Sequence, residues 1–183
     1  MSLGRPEWPE VGELVVATVR RVESYGAYVS LDEYTDREGL LHISEISSRW
    51  VRNIRNHVRP GQKVVLQVLR TDPGKGQVDL SLRRVSRDEK RKKIESWKKE
   101  RKAVTLLTQA AHQLNTDTEA LFDHEGMKLV EHYGSLYEGL EAASKRGADA
   151  LTEAGVEPKV AGTLSEMAKE KIVVRGVTVQ GVF

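Results

Sequence analysis

The 183-residue sequence contains no cysteine. Disulfide bridges, thiolate metal sites and cysteine nucleophiles are therefore excluded, and the absence fits a reducing cytoplasm. Proline is sparse, with 5 residues beside 15 glycines, while 39% of the chain is hydrophobic and 31% charged. That balance excludes a proline-rich disordered chain and leaves enough apolar material for one large or two small cores. No apolar run approaches the roughly 20 residues of a membrane helix. The opening MSLGRPEWPEVGEL lacks the apolar centre of a signal peptide. A soluble, cytoplasmic protein with no membrane partner is expected.

Catalytic signatures are also missing. The five histidines are His42, His57, His112, His124 and His132. None has the HExxH spacing that puts two ligands on one helical face, because HEGMKLVEH holds His124 and His132 too far apart. GKGQ lies in a hairpin rather than between a strand and a helix, so it is not a phosphate loop. No two carboxylates stand out as a matched acid and base. No enzyme activity, metal or cofactor is expected.

Net charge is only +2, but the mean hides an uneven distribution. Residues 1–82 carry 11 basic and 11 acidic side chains, residues 83–102 carry 11 and 4, and residues 103–171 carry 6 and 12. A basic hinge thus separates a neutral module from an acidic one.

Hydrophobic periodicity gives the two modules different classes. ELVVATVRRV is β-branched and mostly apolar, EGLLHI is a short apolar run, and YGAYVSL, KVVLQVLRTD and GQVDLSLRRV alternate, with DPGKG as a turn. Five short strands in about seventy residues predict a small closed barrel, since so short a sheet cannot otherwise protect its edges. At Ser86 the period changes. SRDE has capping-box spacing, and Ile94, Trp97, Val104, Leu107, Ala111 and Leu114 then recur at helical intervals, so a long helix with a mostly solvated first half and a packed second half is expected. Thr116 and Glu119 repeat the box, and Gly147 and Pro158 mark a helix end and a helix start. The reading is an α+β multidomain chain: a five-stranded β-barrel over residues 10–85, a compact all-α helical domain over 86–171, and over 172–183 the first strand of a truncated C-terminal α/β domain.

Three groups of residues could contact nucleic acid. Tyr25 and Tyr28 flank Gly-Ala on a strand, and with His42 they could stack on single-stranded bases, although by spacing alone they are equally core or rim tyrosines. The stretch EGLLHISEISSRWVRNIRNHVRPGQ carries Arg49, Arg52, Arg55 and Arg59 behind Ser44, Ser47 and Ser48. It is either an ordinary solvated loop or a surface for RNA that can also be modified. Lys92, Lys93, Lys98 and Lys99 of the hinge form either a solvated helix face or a phosphate-contacting one.

These pieces resemble a known family. YGAYV, GLLHISEIS, VRPGQKV and VDLSLRRV together are similar to the RNA-binding motif of ribosomal protein S-one, an OB-fold barrel. That resemblance implies an RNA face at Tyr25, Tyr28, His42, Asp72 and Gln77. LLHISEISSRWVRNIR, GKGQVDLSLRRVS and the attached helices further resemble the alpha subunit of archaeal and eukaryotic translation initiation factor two, over nearly the whole chain. The resemblance implies a non-catalytic subunit of a heterotrimer that assists GTP-dependent delivery of initiator methionyl-tRNA to the small ribosomal subunit and mRNA. Its third domain would bind the GTP-binding gamma subunit. It also implies a phosphoacceptor at Ser47, although Ser48 and Trp50 stand where the family usually has arginines, and Gln77 replaces an aromatic residue. The competing expectation is a general RNA-binding adaptor of RNA processing or the ribosome, built on the same barrel.

Overall fold

The computed structural model describes residues 3–172, in two compact units divided between Trp97 and Lys98. The expected strand at the C-terminal end therefore lies outside the described residues beyond Ile172. The first unit contains β1 (Leu14–Glu23), β2 (Gly26–Leu31), β3 (Glu38–His42), β4 (Lys63–Asp72) and β5 (Gln77–Ser81). They close in the order β1-β2-β3-β5-β4, antiparallel except for the β3–β5 pair, which leaves no open sheet edge. This is the five-stranded barrel expected of the OB class.

Val15, Ala17, Val19 and Val22 of β1 fill the interior with Val64, Leu66 and Val68 of β4, Leu41 of β3 and Leu80 of β5. The inward alternation at 15, 17 and 19 resumes at 22 rather than 21, because the β1–β2 register shifts between Val19 and Arg21. The β4–β5 register shifts in the same way between Val68 and Arg70. Each bulge inserts one residue into its strand and turns the following arginine outward. Gly26 has the opposite role of permitting close approach. A Cβ there would lie 2.5 Å from the Leu41 carbonyl oxygen, so only glycine lets β2 and β3 pair at that point.

β1 opens on the apolar run Leu14–Ala17 because both of its faces are covered there. Val16 and Val65 point out of the barrel and pack with Val85, Ile94 and Trp97. Ile94 and Trp97 belong to helix α1 (Arg87–Gln113), whose start is fixed by the expected box: the Ser86 N–H donates to Glu89 Oε1 at 2.9 Å and the Glu89 N–H to Ser86 Oγ at 3.1 Å. The first half of α1 is mostly solvated, as expected, with Ile94 and Trp97 as the side chains that meet the barrel's outer wall.

Beneath this contact sits Glu33, 4% exposed. Its Oε1 accepts the Val16 N–H at 2.9 Å, and its Oε2 lies 2.7 Å from the Arg5 guanidinium and 2.8 Å from Lys93 Nζ. One carboxylate joins the N-terminal segment, β1 and α1. A buried acid is tolerated here because it has two cations and a backbone donor.

In the second unit, Ala103, Leu106, Leu107, Ala110 and Ala111 form the buried stripe of α1. It continues through α2 (Thr118–Leu121), a π-helical turn (Phe122–Gly126), α3 (Met127–Tyr133), α4 (Leu136–Arg146), α5 (Ala148–Glu153) and α6 (Pro158–Lys171). Leu129, Leu136, Leu140, Leu151 and Leu164 are fully buried among them. The cap of α2 is Asp117, whose carboxylate accepts the Ala120 N–H at 3.3 Å, and not Thr116 as the spacing predicted. Asn115, in the left-handed region at φ 57°, ends the preceding turn and shifts the helix start by one residue. Gly147 closes α4 at φ 77°, and Pro158 opens α6.

Candidate nucleic-acid interface

Strand register gathers polar and aromatic side chains on the barrel's outer face. Arg21 on β1 lies opposite Tyr28 on β2, Tyr28 opposite Leu40 on β3, Leu40 opposite Asp79 on β5, and Asp79 opposite Arg70 on β4. One step along, Gln77 pairs with Glu38 and Asp72, and at the far end of β3 His42 pairs with Gly26. The two bulges place Arg21 and Arg70 in this row. Arg21, Arg70 and Asp79 were not singled out by sequence; the available signal was the broken alternation in VATVRRV and LQVLRT.

Tyr25 is 45% exposed and meets Tyr28 edge-on, with centroids 6.1 Å apart, an interplanar angle of 86° and hydroxyls 2.8 Å apart. The hydrogen bond with Tyr28 is the main cause that raises the Tyr25 phenol above its ordinary value of 10. Both tyrosines therefore lie outside the core, Tyr28 on β2 and Tyr25 in the β1–β2 turn rather than on the strand as expected. The Arg21 guanidinium lies 4.4 Å from the centroid of the Tyr28 ring and is tied to Glu23 at 3.0 Å. His42 Nδ1 accepts the Ser44 N–H at 3.1 Å, which leaves Nε2 as the donor nitrogen of an exposed ring.

The β4–β5 end is a polar chain. Arg70 contacts Asp79 Oδ2 at 2.8 and 3.1 Å, and Gln77 Nε2 donates to Asp79 Oδ1 at 3.4 Å. Asp72 lies at the hairpin, where its carboxylate accepts the Lys75 N–H at 3.2 Å, so it shapes the turn that presents Gln77. Aromatic rings, an exposed imidazole, arginines and amide groups on one convex sheet can stack bases, meet phosphates and hydrogen-bond base edges.

The arginine-rich connection is a shelf, not a loose loop. Ile46, Val51, Ile54 and Val58 are buried in the barrel core, and 3₁₀ turns at Ile43–Glu45 and Ile54–Asn56 shape the chain between them. Arg49, Arg52 and Arg55 are exposed, and so is Trp50, at 83%. The Arg52 guanidinium lies 5.8 Å from the Trp50 ring centroid. Arg55 reaches the Val22 carbonyl at 3.4 Å. Ser47 Oγ accepts the Arg49 N–H at 3.1 Å.

The hinge lysines differ in position. Lys93 is held by the buried Glu33, so its part is to dock α1 on the barrel; its assignment to phosphate contact is corrected on that ground. Lys92 pairs with Asp88 at 3.0 Å on the exposed helix face, Lys98 is exposed, and Lys99 lies 5.6 Å from the Tyr137 ring centroid. In the second unit a cleft of about 550 Å³ is lined in part by Asp123, His124, Glu125 and Lys128. There Glu125 accepts the Glu157 N–H at 3.0 Å and pairs with Lys128 at 3.5 Å. Among the described residues no three His, Asp or Glu side chains converge to hold a metal, and no helix is long and apolar enough to cross a membrane.

Comparison with known proteins follows the same division. Residues 8–83 match the S1 RNA binding domain family, and residues 121–183 match the eukaryotic translation initiation factor 2 alpha subunit family. Translation initiation factor 2 subunit alpha of Methanothermobacter thermautotrophicus is 45% identical over 175 residues, spanning 96% of this chain and 67% of the relative. That of Methanopyrus kandleri is 47% identical over 165 residues, spanning 90% and 62%. The crystal structure of the intact alpha subunit of aIF2 from Pyrococcus abyssi matches with a TM-score of 0.82 at 43% identity, over 92% of this chain and 64% of that one. A chain of the a/eIF2alpha-aDim2p-rRNA complex from Pyrococcus horikoshii matches with a TM-score of 0.76 at 43% identity, over 92% of this chain and 99% of that one. The chain spans about two thirds of the length of the curated relatives it matches. It belongs to the translation initiation factor 2 subunit alpha family.

Proposed function

We propose that this chain is the RNA-contacting part of a non-catalytic alpha subunit, acting in the cytoplasm to help deliver initiator methionyl-tRNA to the small ribosomal subunit. The observation that carries the reading is the outer barrel face, where Tyr25, Tyr28, His42, Arg21 and Gln77 come together on an S1-type barrel. The rRNA in the Pyrococcus horikoshii complex of a similar chain supports an RNA partner. The shelf bearing Arg49, Arg52 and Arg55 supplies further charge toward RNA, with Ser47 bracing its turn through the Arg49 N–H. The GTP-binding gamma subunit would be engaged through the part of the relatives that this chain does not span. The general adaptor reading has no support among the relatives, which are named as initiation factor subunits.

The test is binding of a fluorescently labelled single-stranded RNA, and of initiator tRNA, by wild type and Tyr25→Ala. Losing one stacked base weakens binding about 5- to 150-fold. That loss is expected for the single strand with an unchanged dependence on salt, since no charge is removed. Equal binding by the variant refutes a role for this face.

A further inference from the structure

The face of the Tyr28 ring over which Arg21 lies is not open to a stacked base. A stacked base would occupy the layer directly above the ring, and the Arg21 guanidinium is already there, 4.4 Å from the centroid. Tyr25 does not relieve this, because it meets Tyr28 at 86° and its hydroxyl is bonded to the Tyr28 hydroxyl at 2.8 Å. Nor is Arg21 loosely placed. Glu23 holds its Nε at 3.0 Å, and the bulge between Val19 and Arg21 aims the side chain across the strand pair onto Tyr28. Even so, the Arg21 side chain is 63% exposed. The guanidinium thus lies over the ring while most of the side chain remains in solvent.

We propose that Arg21 is a base-stacking element of the RNA face, with Tyr28 as its support rather than as a direct base contact. The inference rests on the RNA-binding reading of the barrel. A guanidinium is planar, stacks on nucleobases as it does on aromatic rings, and carries its charge into the contact. Glu23 and Tyr28 fix it before RNA arrives, so less side-chain freedom is lost on binding. The ligand class is a single-stranded RNA segment with one unpaired base lying over Arg21 and a second near the exposed ring of Tyr25.

The rival arrangement, in which RNA displaces Arg21 and stacks on Tyr28 itself, makes opposite demands. Arg21→Ala would then uncover the ring and leave base stacking equal or stronger. Arg21→Lys separates the plane from the charge, because an ammonium keeps the +1 but cannot stack.

The experiment measures affinity of the chain for a labelled 12-nucleotide single-stranded RNA at several salt concentrations, for wild type, Arg21→Lys, Arg21→Ala and Tyr25→Ala. Expected are losses of about 5- to 150-fold for both Arg21 variants. The salt slope should be unchanged in Arg21→Lys and reduced by about 0.7 in Arg21→Ala. Wild-type affinity in Arg21→Lys, or equal or tighter binding in Arg21→Ala, overturns the proposal while a weakened Tyr25→Ala keeps the RNA face itself. No binding by wild type overturns both. Unchanged thermal midpoints confirm that the exposed substitutions leave the barrel folded.

Discussion

Replacing Glu33 by alanine should unfold the barrel far more readily than any surface substitution. The side chain is 4% exposed and satisfies three groups: the Val16 N–H at 2.9 Å, Arg5 at 2.7 Å and Lys93 at 2.8 Å. Alanine strands a buried backbone donor, at about 1–3 kcal/mol. It also leaves Lys93, 18% exposed, without its counter-charge. Removing one partner of a buried pair costs roughly 3–5 kcal/mol. Arg5 is 33% exposed and can turn to water, which offsets part of the loss. The net expectation is about 3–5 kcal/mol, a large share of a stability that is typically 5–15 kcal/mol. Trp8, Trp50 and Trp97 all lie in the first unit, so tryptophan fluorescence during urea unfolding reports the barrel alone. With a slope of about 1–3 kcal/mol per molar, the midpoint should fall by at least about 1 M. Glu33→Gln, which keeps an acceptor for Val16 but no charge, should fall between the two. A midpoint for Glu33→Ala within about 0.3 M of wild type, smaller than any shift these magnitudes allow, would refute the structural role assigned to this carboxylate.

Three further outcomes are expected. Burial, with the Glu13 hydrogen bond second, raises the Tyr34 phenol to about 12 from its ordinary 10. The folded state therefore holds this proton more tightly than the unfolded state. The stabilisation is complete below pH 10 and is lost as pH rises from about 10 toward 12, so a Tyr34→Phe barrel should lose less stability over that interval when followed by tryptophan fluorescence. Lys93→Ala should lower the barrel's urea midpoint and leave the salt slope of RNA binding unchanged. Lys98→Ala should leave stability unchanged and, if α1 meets phosphate, reduce that slope by about 0.7.

Much of this architecture is visible in the sequence because it follows from local rules. Alternation located β2, β4 and β5, apolar runs located β1 and β3, and the Ser86–Glu89 spacing located the start of α1, since none of these depends on distant neighbours. The YGAY stretch and His42 marked part of the candidate site because β2 and β3 pair directly through Gly26 and His42. Arg21, Arg70 and Asp79 were hidden by the bulges, which change which side of a strand a residue faces without any special residue at the bulge. Glu33 and Lys93 were hidden for a different reason. One sits in the acidic turn LDEYTD and the other in a basic run, and only the docking of Ile94 and Trp97 on the barrel wall buries them together. The misplaced α2 cap arose because Thr116 and Asp117 both have capping chemistry, and the left-handed Asn115 decides between them.

The most direct test of the central claim is to map RNA contacts on the folded chain by amide chemical-shift changes during titration with an unstructured single-stranded RNA. The account predicts that the largest changes fall on residues 20–30, around His42 and along the Asp72–Asp79 hairpin. The Arg49–Arg55 shelf should respond more weakly. Changes confined to α1 or to the helical unit, with the β1–β2 hairpin silent, would contradict it.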